Sequence, residues 1–306
     1  LKVLITGGAG FIGSNIVDEL INKGYNVIVV DNLSSGKETN INKKAKFYKC
    51  DIRSPELNDI FHKEHPDYVN HHAAQIDVRR SVSDPVYDAQ INVLGTINVL
   101  QNCVNYKVEK IIFASSGGAI YGEQDVFPAT EEHPQRPISP YGITKLVAEH
   151  YLYYFKQMHG LDYTVLRYAN VYGPRQDPFG EAGVVAIFIQ KFINGEQPII
   201  HGDGQQTRDF VYVGDVVQAN ILALKNSSTE RIFNIGTGIE TSINKVFEYL
   251  KKIINPSIEE KHGYPKQGEQ RRSVIDCTKA NQILKWNAAT LLIDGLRNTC
   301  NYFKLL

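Results

Sequence analysis

Tyr141 and Lys145 stand four residues apart at what the pattern makes a helix start, with Ser139 an N-cap type and Pro140 suited to the first helical position. That spacing puts phenol and ammonium on one face. A phenol, with a pKa of about 10, is a poor base at neutral pH. A neighbouring ammonium and an oxidised nicotinamide both favour the phenolate. Tyr141 would then accept an alcohol or sugar proton as hydride leaves the same carbon. The same spacing also occurs in ordinary amphipathic helices. Ser115 and Ser116 close the apolar run 110–115, at a sheet edge where a hydroxyl can bridge substrate to phenol or simply cap a turn.

A second constellation is Gly7-Gly8-Ala9-Gly10-Phe11-Ile12-Gly13, between an apolar run and a helical spacing. Glycines there permit a tight turn and let backbone approach a pyrophosphate at a helix N-terminus. Asp31 ends the next apolar run, eighteen residues past Gly13, where a carboxylate can accept from ribose hydroxyls. It would also repel a 2′-phosphate, which favours NAD over NADP. Asp51-Ile52, after the third run, suits either an adenine contact or a turn cap.

These groups need rigid positioning. Apolar runs at 1–6, 26–30, 47–50, 68–70 and 110–115 alternate with helical spacings at 11–23, near 55–64 and after Pro85. Such alternation predicts an α/β fold built on a doubly wound parallel sheet. After about residue 170 the chain becomes loop-rich, with short strands expected at 198–201, 210–213 and 231–235. The expected division is a dinucleotide-binding domain over 1–170 and a smaller α+β substrate-binding part over 171–306, with 208–236 packing back on the sheet.

Composition narrows the classes. Lys plus Arg equals Asp plus Glu, so the basic footprint of a nucleic-acid binder is missing. No apolar run approaches the ~18 residues of a membrane span. Four cysteines without C-x-x-C spacing suit a reducing compartment, and Leu1 inside a strand pattern leaves no room for a signal peptide, so the expected location is cytoplasmic. His71-His72 are adjacent and their side chains diverge, so no metal site is expected. Arg79-Arg80 reads as a solvated face, and Tyr151, Tyr153, Tyr154 and Phe155 as core packing. The helix over 86–104 is apolar on most sides, which predicts burial, in part against another subunit.

Together these residues resemble the extended short-chain dehydrogenase/reductase family over essentially the whole chain. The resemblance is carried by TGGAGFIGS (6–14), DNLSSG (31–36), HHAAQ (71–75), SSGGAIYG (115–122), SPYGITK (139–145), RYANVYGPR (167–175), GDGQQTRDFVYVGD (202–215) and FNIGTG (233–238). Within that family the nearest likeness is to the UDP-hexose 4-epimerases. The resemblance implies a Rossmann-type sheet, tightly held NAD, a UDP-sugar substrate and a homodimer through the helices that include 86–104 and the one after Tyr141. Tyr141 would take the sugar 4-OH proton, Lys145 would bind the nicotinamide ribose, and Ser116 would bridge to O4.

Further cofactor contacts are implied at Gly7, Gly10, Phe11, Ile12, Gly13, Asp31, Asn32, Ser35, Gly36, Asp51, Ile52, Ala73, Ala74, Gln75, Asn92, Ser115 and Tyr168. Substrate contacts are implied at Asn170 and Arg208 (diphosphate), His201 (uracil), Arg271 (a second phosphate partner), Val184, Val185 and Ser273 (the wall at the hexose 2-position).

Three departures stand out. The loop Ser116-Gly117-Gly118-Ala119 is one residue longer than the common version: counting from the strand makes Ser116 the bridge, and counting back from Tyr121 lands on Gly117. Lys266, two before Gly268, replaces a frequent Arg. Ile76 follows Gln75 where some relatives carry a lysine slightly further on. The alternatives are a nucleotide-sugar 4,6-dehydratase, which needs an acid and a base where Gly117-Gly118 stand, and a non-catalytic NAD-binding sensor.

Overall fold

Alternate residues of the first strands go to opposite faces of one sheet. Val3 and Ile5 of β1 (Lys2–Thr6) pack with Val27 and Val29 of β2 (Asn26–Asp31), while Leu4 packs with Ile28 and Val30 on the other side. Strands apolar on both faces must be covered twice, which is the habit of parallel sheets. The structure, a computed structural model, describes residues 1–179, 183–265 and 270–305.

Helix α1 (Phe11–Asn22) connects β1 to β2. The order continues β3 (Lys46–Lys49), α2 (Glu56–Glu64), β4 (Tyr68–His71), α3 (Val78–Ser83), α4 (Pro85–Ala89), α5 (Thr96–Asn105), β5 (Lys110–Ser116) and α6 (Gly117–Ile120). Then come α7 (Pro140–His159), β6 (Asp162–Tyr168), β7 (Asn170–Tyr172), α8 (Val184–Ile193), β8 (Ile200–His201), β9 (Thr207–Tyr212) and α9 (Val213–Lys225). The chain closes with β10 (Ile232–Ile235), β11 (Glu240–Ser242), α10 (Ile243–Ile254), β12 (His262–Gly263) and α11 (Leu292–Lys304).

Seven strands form the large sheet in the order β10-β6-β5-β4-β1-β2-β3, all parallel. This is the expected doubly wound α/β sheet of Rossmann type, with β10 added beside β6. One face is covered by α1 and α9, the other by α2, α5 and α7. Full burial of each Ile, Leu or Val there contributes about 1.5–3 kcal/mol. A separate core joins α8, α10 and α11 over Phe210 of β9. Ser139 caps α7 as expected, accepting from the Gly142 N–H at 3.1 Å.

Two expectations need correction. The helix over 86–104 is interrupted: between α4 and α5 lies a wide π turn, Gln90–Gly95. A Cβ on Gly95 would stand 2.6 Å from Ile52, so the chain passes too close for a side chain, and the widened turn carries Asn92 inward. Nor is this segment buried all round, since Leu94 is 59% exposed. Tyr153 and Tyr154 are also largely exposed and are not core residues. Successive helical residues point about 100° apart, so the face of α7 that buries Leu152 and Phe155 cannot bury both tyrosines.

Candidate active site

The glycine loop leaves β1 and turns back under its own helix. Gly7 has a φ of +70°, and a Cβ there would meet the Ala73 nitrogen at 2.6 Å. At Gly13 a Cβ would stand 2.2 Å from the Gly7 oxygen. Strand, loop and helix therefore pack more closely than any side chain permits. Gly10 begins α1 with no side-chain cap, leaving the first-turn amides, where Phe11 and Ile12 sit half-buried, to an outside acceptor. Such an end favours an anion.

Asp31 is buried at the end of β2, accepting from the Ala9 N–H at 3.0 Å and the Leu33 N–H at 2.8 Å. Burial pushes its carboxyl up against the pull of those amides. A Cβ on Gly36 would sit 2.9 Å from an Asp31 oxygen, so glycine keeps that carboxylate open on one side. Asn32 and Ser35 lie exposed beside it. Asp51 is engaged by Arg53 through two contacts of 2.9 and 2.8 Å and by Asn32 at 2.9 Å, and Arg53 first among them holds its carboxyl down at about 2.

Lys145 lies fully inside, donating to the Ala114 carbonyl at 3.0 Å, with its nitrogen 5.8 Å from the Tyr141 ring centre. Burial pulls the ammonium down to about 8, against the charges of Asp88 and Glu149. Tyr141 is half-buried, its N–H donating to Ser81 Oγ at 3.2 Å. Gln75 and Asn92 lock together: the Gln75 N–H donates to Asn92 Oδ1 at 2.8 Å, and Asn92 Nδ2 returns to the Gln75 carbonyl at 2.9 Å. Ala73 and Ala74 connect this pair to β4. Tyr168 stacks on His72, with centroids 6.1 Å apart, and bonds Asn220.

The two serines after β5 diverge. Ser115 Oγ donates to Glu149 Oε1 at 2.6 Å, inside a fully buried pair in which Arg167 Nη2 meets Glu149 Oε2 at 2.6 Å. Ser116 Oγ instead caps α6, accepting from the Ala119 N–H at 3.3 Å. Strand alternation sends the two hydroxyls to opposite faces.

A cavity of about 550 Å³ lies beyond the sheet edge, and Asn170, Val184, Val185, His201 and Arg208 all line it. Residues from β7, α8, β8 and β9, distant in sequence, thus converge on one cavity. Lys191, Gln176 and Gln206 line it too, without having been singled out; lone polar residues in helix or loop gave no spacing to read. Arg271 is not in that wall, and pairs with Asp203 through two 2.8 Å contacts at the surface. Buried Ser273 has its hydroxyl 3.8 Å from where a Cβ on Gly118 would stand. Lys266 and Gly268 lie outside the described residues. Among the described residues no cluster of three metal-ligating groups forms, and no helix is long and apolar enough to cross a membrane.

Known proteins resemble the chain over its whole length. The chain is 40% identical to UDP-glucose 4-epimerase of Mycolicibacterium smegmatis, covering 99% of both chains. It superposes on the crystal structure of UDP-glucose 4-epimerase with UDP-glucose from Thermotoga maritima with a TM-score of 0.97 at 50% identity, covering 100% of this chain and 99% of that one. A UDP-N-acetylglucosamine 4-epimerase from Methanobrevibacter ruminantium, in complex with UDP-N-acetylmuramic acid, gives 0.94 at 36% identity over 99% and 98%. Residues 3–236 match the NAD dependent epimerase/dehydratase family, and the chain belongs to it.

Proposed function

We propose that this protein inverts C4 of a UDP-hexose, interconverting UDP-galactose and UDP-glucose through a 4-keto sugar. The observation that carries the reading is the buried Lys145 ammonium beside Tyr141, in a chain that also builds a glycine cradle and a cavity lined by Asn170 and Arg208.

The residues fit NAD. Space that a Cβ would fill is kept clear at Gly36 beside Asp31, the uncapped α1 amides suit a pyrophosphate, and Gln75, Asn92 and Tyr168 stand at positions the resemblance gives to the cofactor. The chemistry NAD supplies when bound is to accept hydride from C4 and return it to the other face. Tyr141 Oη takes the 4-OH proton and later gives it back. Lys145 favours the phenolate by its charge. Arg208 and Asn170 hold the diphosphate while the ketose turns, and Val184, Val185 and His201 seat the uridine. Ser116 orients O4.

Two variants test the cradle and the bridge. Gly13→Ala places a methyl against the Gly7 carbonyl, so bound NAD should be lost on desalting and stability should fall by about 1–3 kcal/mol. Ser116→Ala should lower kcat well below wild type with UDP affinity kept, and an unchanged kcat would assign the bridge elsewhere.

Exposed Leu94, Ile143, Tyr154 and Met158, on the π turn and α7, support a homodimer through these helices. Free thiols at Cys50, Cys103, Cys277 and Cys300 support a cytoplasmic location. Incubation of purified protein with UDP-galactose tests the whole reading. Inversion to UDP-glucose is expected; a 4-keto-6-deoxy product would indicate a dehydratase, and no product a sensor.

A further inference from the structure

Asp88 is fully buried and has no part in the steps above. It lies on α4, one turn before Asn92. Its carboxylate accepts from Gln75 Nε2 at 2.8 Å, Asn92 Nδ2 at 3.1 Å and Thr144 Oγ1 at 2.6 Å. Two of these partners are amide nitrogens and the third a hydroxyl, so all of them are neutral. A buried charge so placed is costly unless an opposite charge lies nearby.

That opposite charge is Lys145, the residue after Thr144. The surroundings of Lys145 come from four elements. From β5 come the Ala114 carbonyl and the Phe113 ring, 5.0 Å from the nitrogen. From the end of β4 and the residue after it come His71 and His72, which burial holds neutral. From α7 come Tyr141 and Glu149, but Glu149 is matched by Arg167 at 3.1 and 2.6 Å. From α4 comes Asp88, whose charge no cation among its hydrogen-bond partners offsets.

We propose that Asp88 is a positioning residue for the Tyr141–Lys145 pair, pinning the first turn of α7 to the Gln75–Asn92 turn and supplying the net negative charge that holds Lys145 as an ammonium. The proposal rests on the reading of the reaction given above. It accords with Asp88 ranking ahead of Glu149 in opposing the effect of burial on Lys145. Removing that negative charge disfavours the ammonium, so Lys145 would lose its proton at a lower pH than in the wild type.

The test is Asp88→Asn in the NAD-loaded enzyme, with kcat for UDP-galactose followed across pH. The alkaline limb should move to lower pH by on the order of one unit, with kcat at neutral pH reduced several-fold and KM unchanged. A readout independent of turnover is ionisation of Tyr141, taken as the near-ultraviolet difference between each protein and its Tyr141→Phe counterpart. It should be displaced in the Asn variant, because the charge around the Tyr141–Lys145 pair has changed. Thr144→Val removes one anchor but keeps the charge, and should lower kcat with the limb in place. Equal loss at every pH in Asp88→Asn, with Tyr141 ionisation unmoved, would overturn the proposal. Should the Asn variant not fold, a Thr144→Val enzyme with a displaced limb or an undiminished kcat would overturn it as well. A wild type that leaves UDP-galactose unchanged would fault the reading of the reaction, while the Tyr141 titration would still decide the role of Asp88.

Discussion

Tyr141→Phe is expected to retain NAD and lose nearly all turnover of UDP-galactose, by ~10²–10⁴ in kcat, the usual cost of deleting a general base. The fold should survive, because α7 is set by the Ser139 cap and by Ala148, Leu152 and Phe155 on its buried face, none of which the substitution touches. KM should stay close to wild type, since the phenol is assigned to proton transfer and the diphosphate to Arg208 and Asn170. Steady-state kinetics with cofactor content measured on the same preparation check this. A variant keeping more than half of wild-type activity would remove Tyr141 from the chemistry.

Ser273→Tyr is expected to abolish interconversion of UDP-N-acetylglucosamine and UDP-N-acetylgalactosamine while sparing UDP-galactose. The wild type should therefore turn over both pairs. The reason is steric: the Ser273 hydroxyl lies 3.8 Å from where a Cβ on Gly118 would stand, so two small residues meet beside the position that the resemblance gives to the wall at the hexose 2-position. An acetamido group needs that room, and a phenol ring would fill it. The segment carrying Ser273 is held by the Asp209 N–H, which donates to the Ser273 carbonyl at 2.9 Å, so the wall cannot simply drift aside. Competition assays with the four sugars decide it. A wild type that rejects the acetamido sugars would mean that another side chain closes the space.

Much of this molecule was legible in its residues because it depends on short-range rules. The continuous apolar runs of β1 and β2, the Ser139-Pro140 helix start and the Gly7–Gly13 turn follow from backbone sterics and local hydrogen bonding. The family resemblance singled out Asn170, Val184, Val185, His201 and Arg208, which come from four elements, carry no common spacing and line one cavity. Other features depended on tertiary packing. Ser115 and Ser116 are adjacent and chemically alike, and only the partners across the sheet, Glu149 on one side and the Ala119 amide on the other, separate them. Arg167 and Arg271 look equally basic in the chain, yet one is buried on Glu149 and the other rests on Asp203 at the surface. Asp88 carries no signal in the sequence, because nothing local says that Gln75, Asn92 and Thr144 will close around it. The sequence by itself determined the sheet, the glycine turn and the Tyr-Lys face, since each is settled within a few residues. Which polar groups are paired, buried or turned toward the cavity was decided only by the tertiary structure, because a side chain's partner is set by elements tens of residues away.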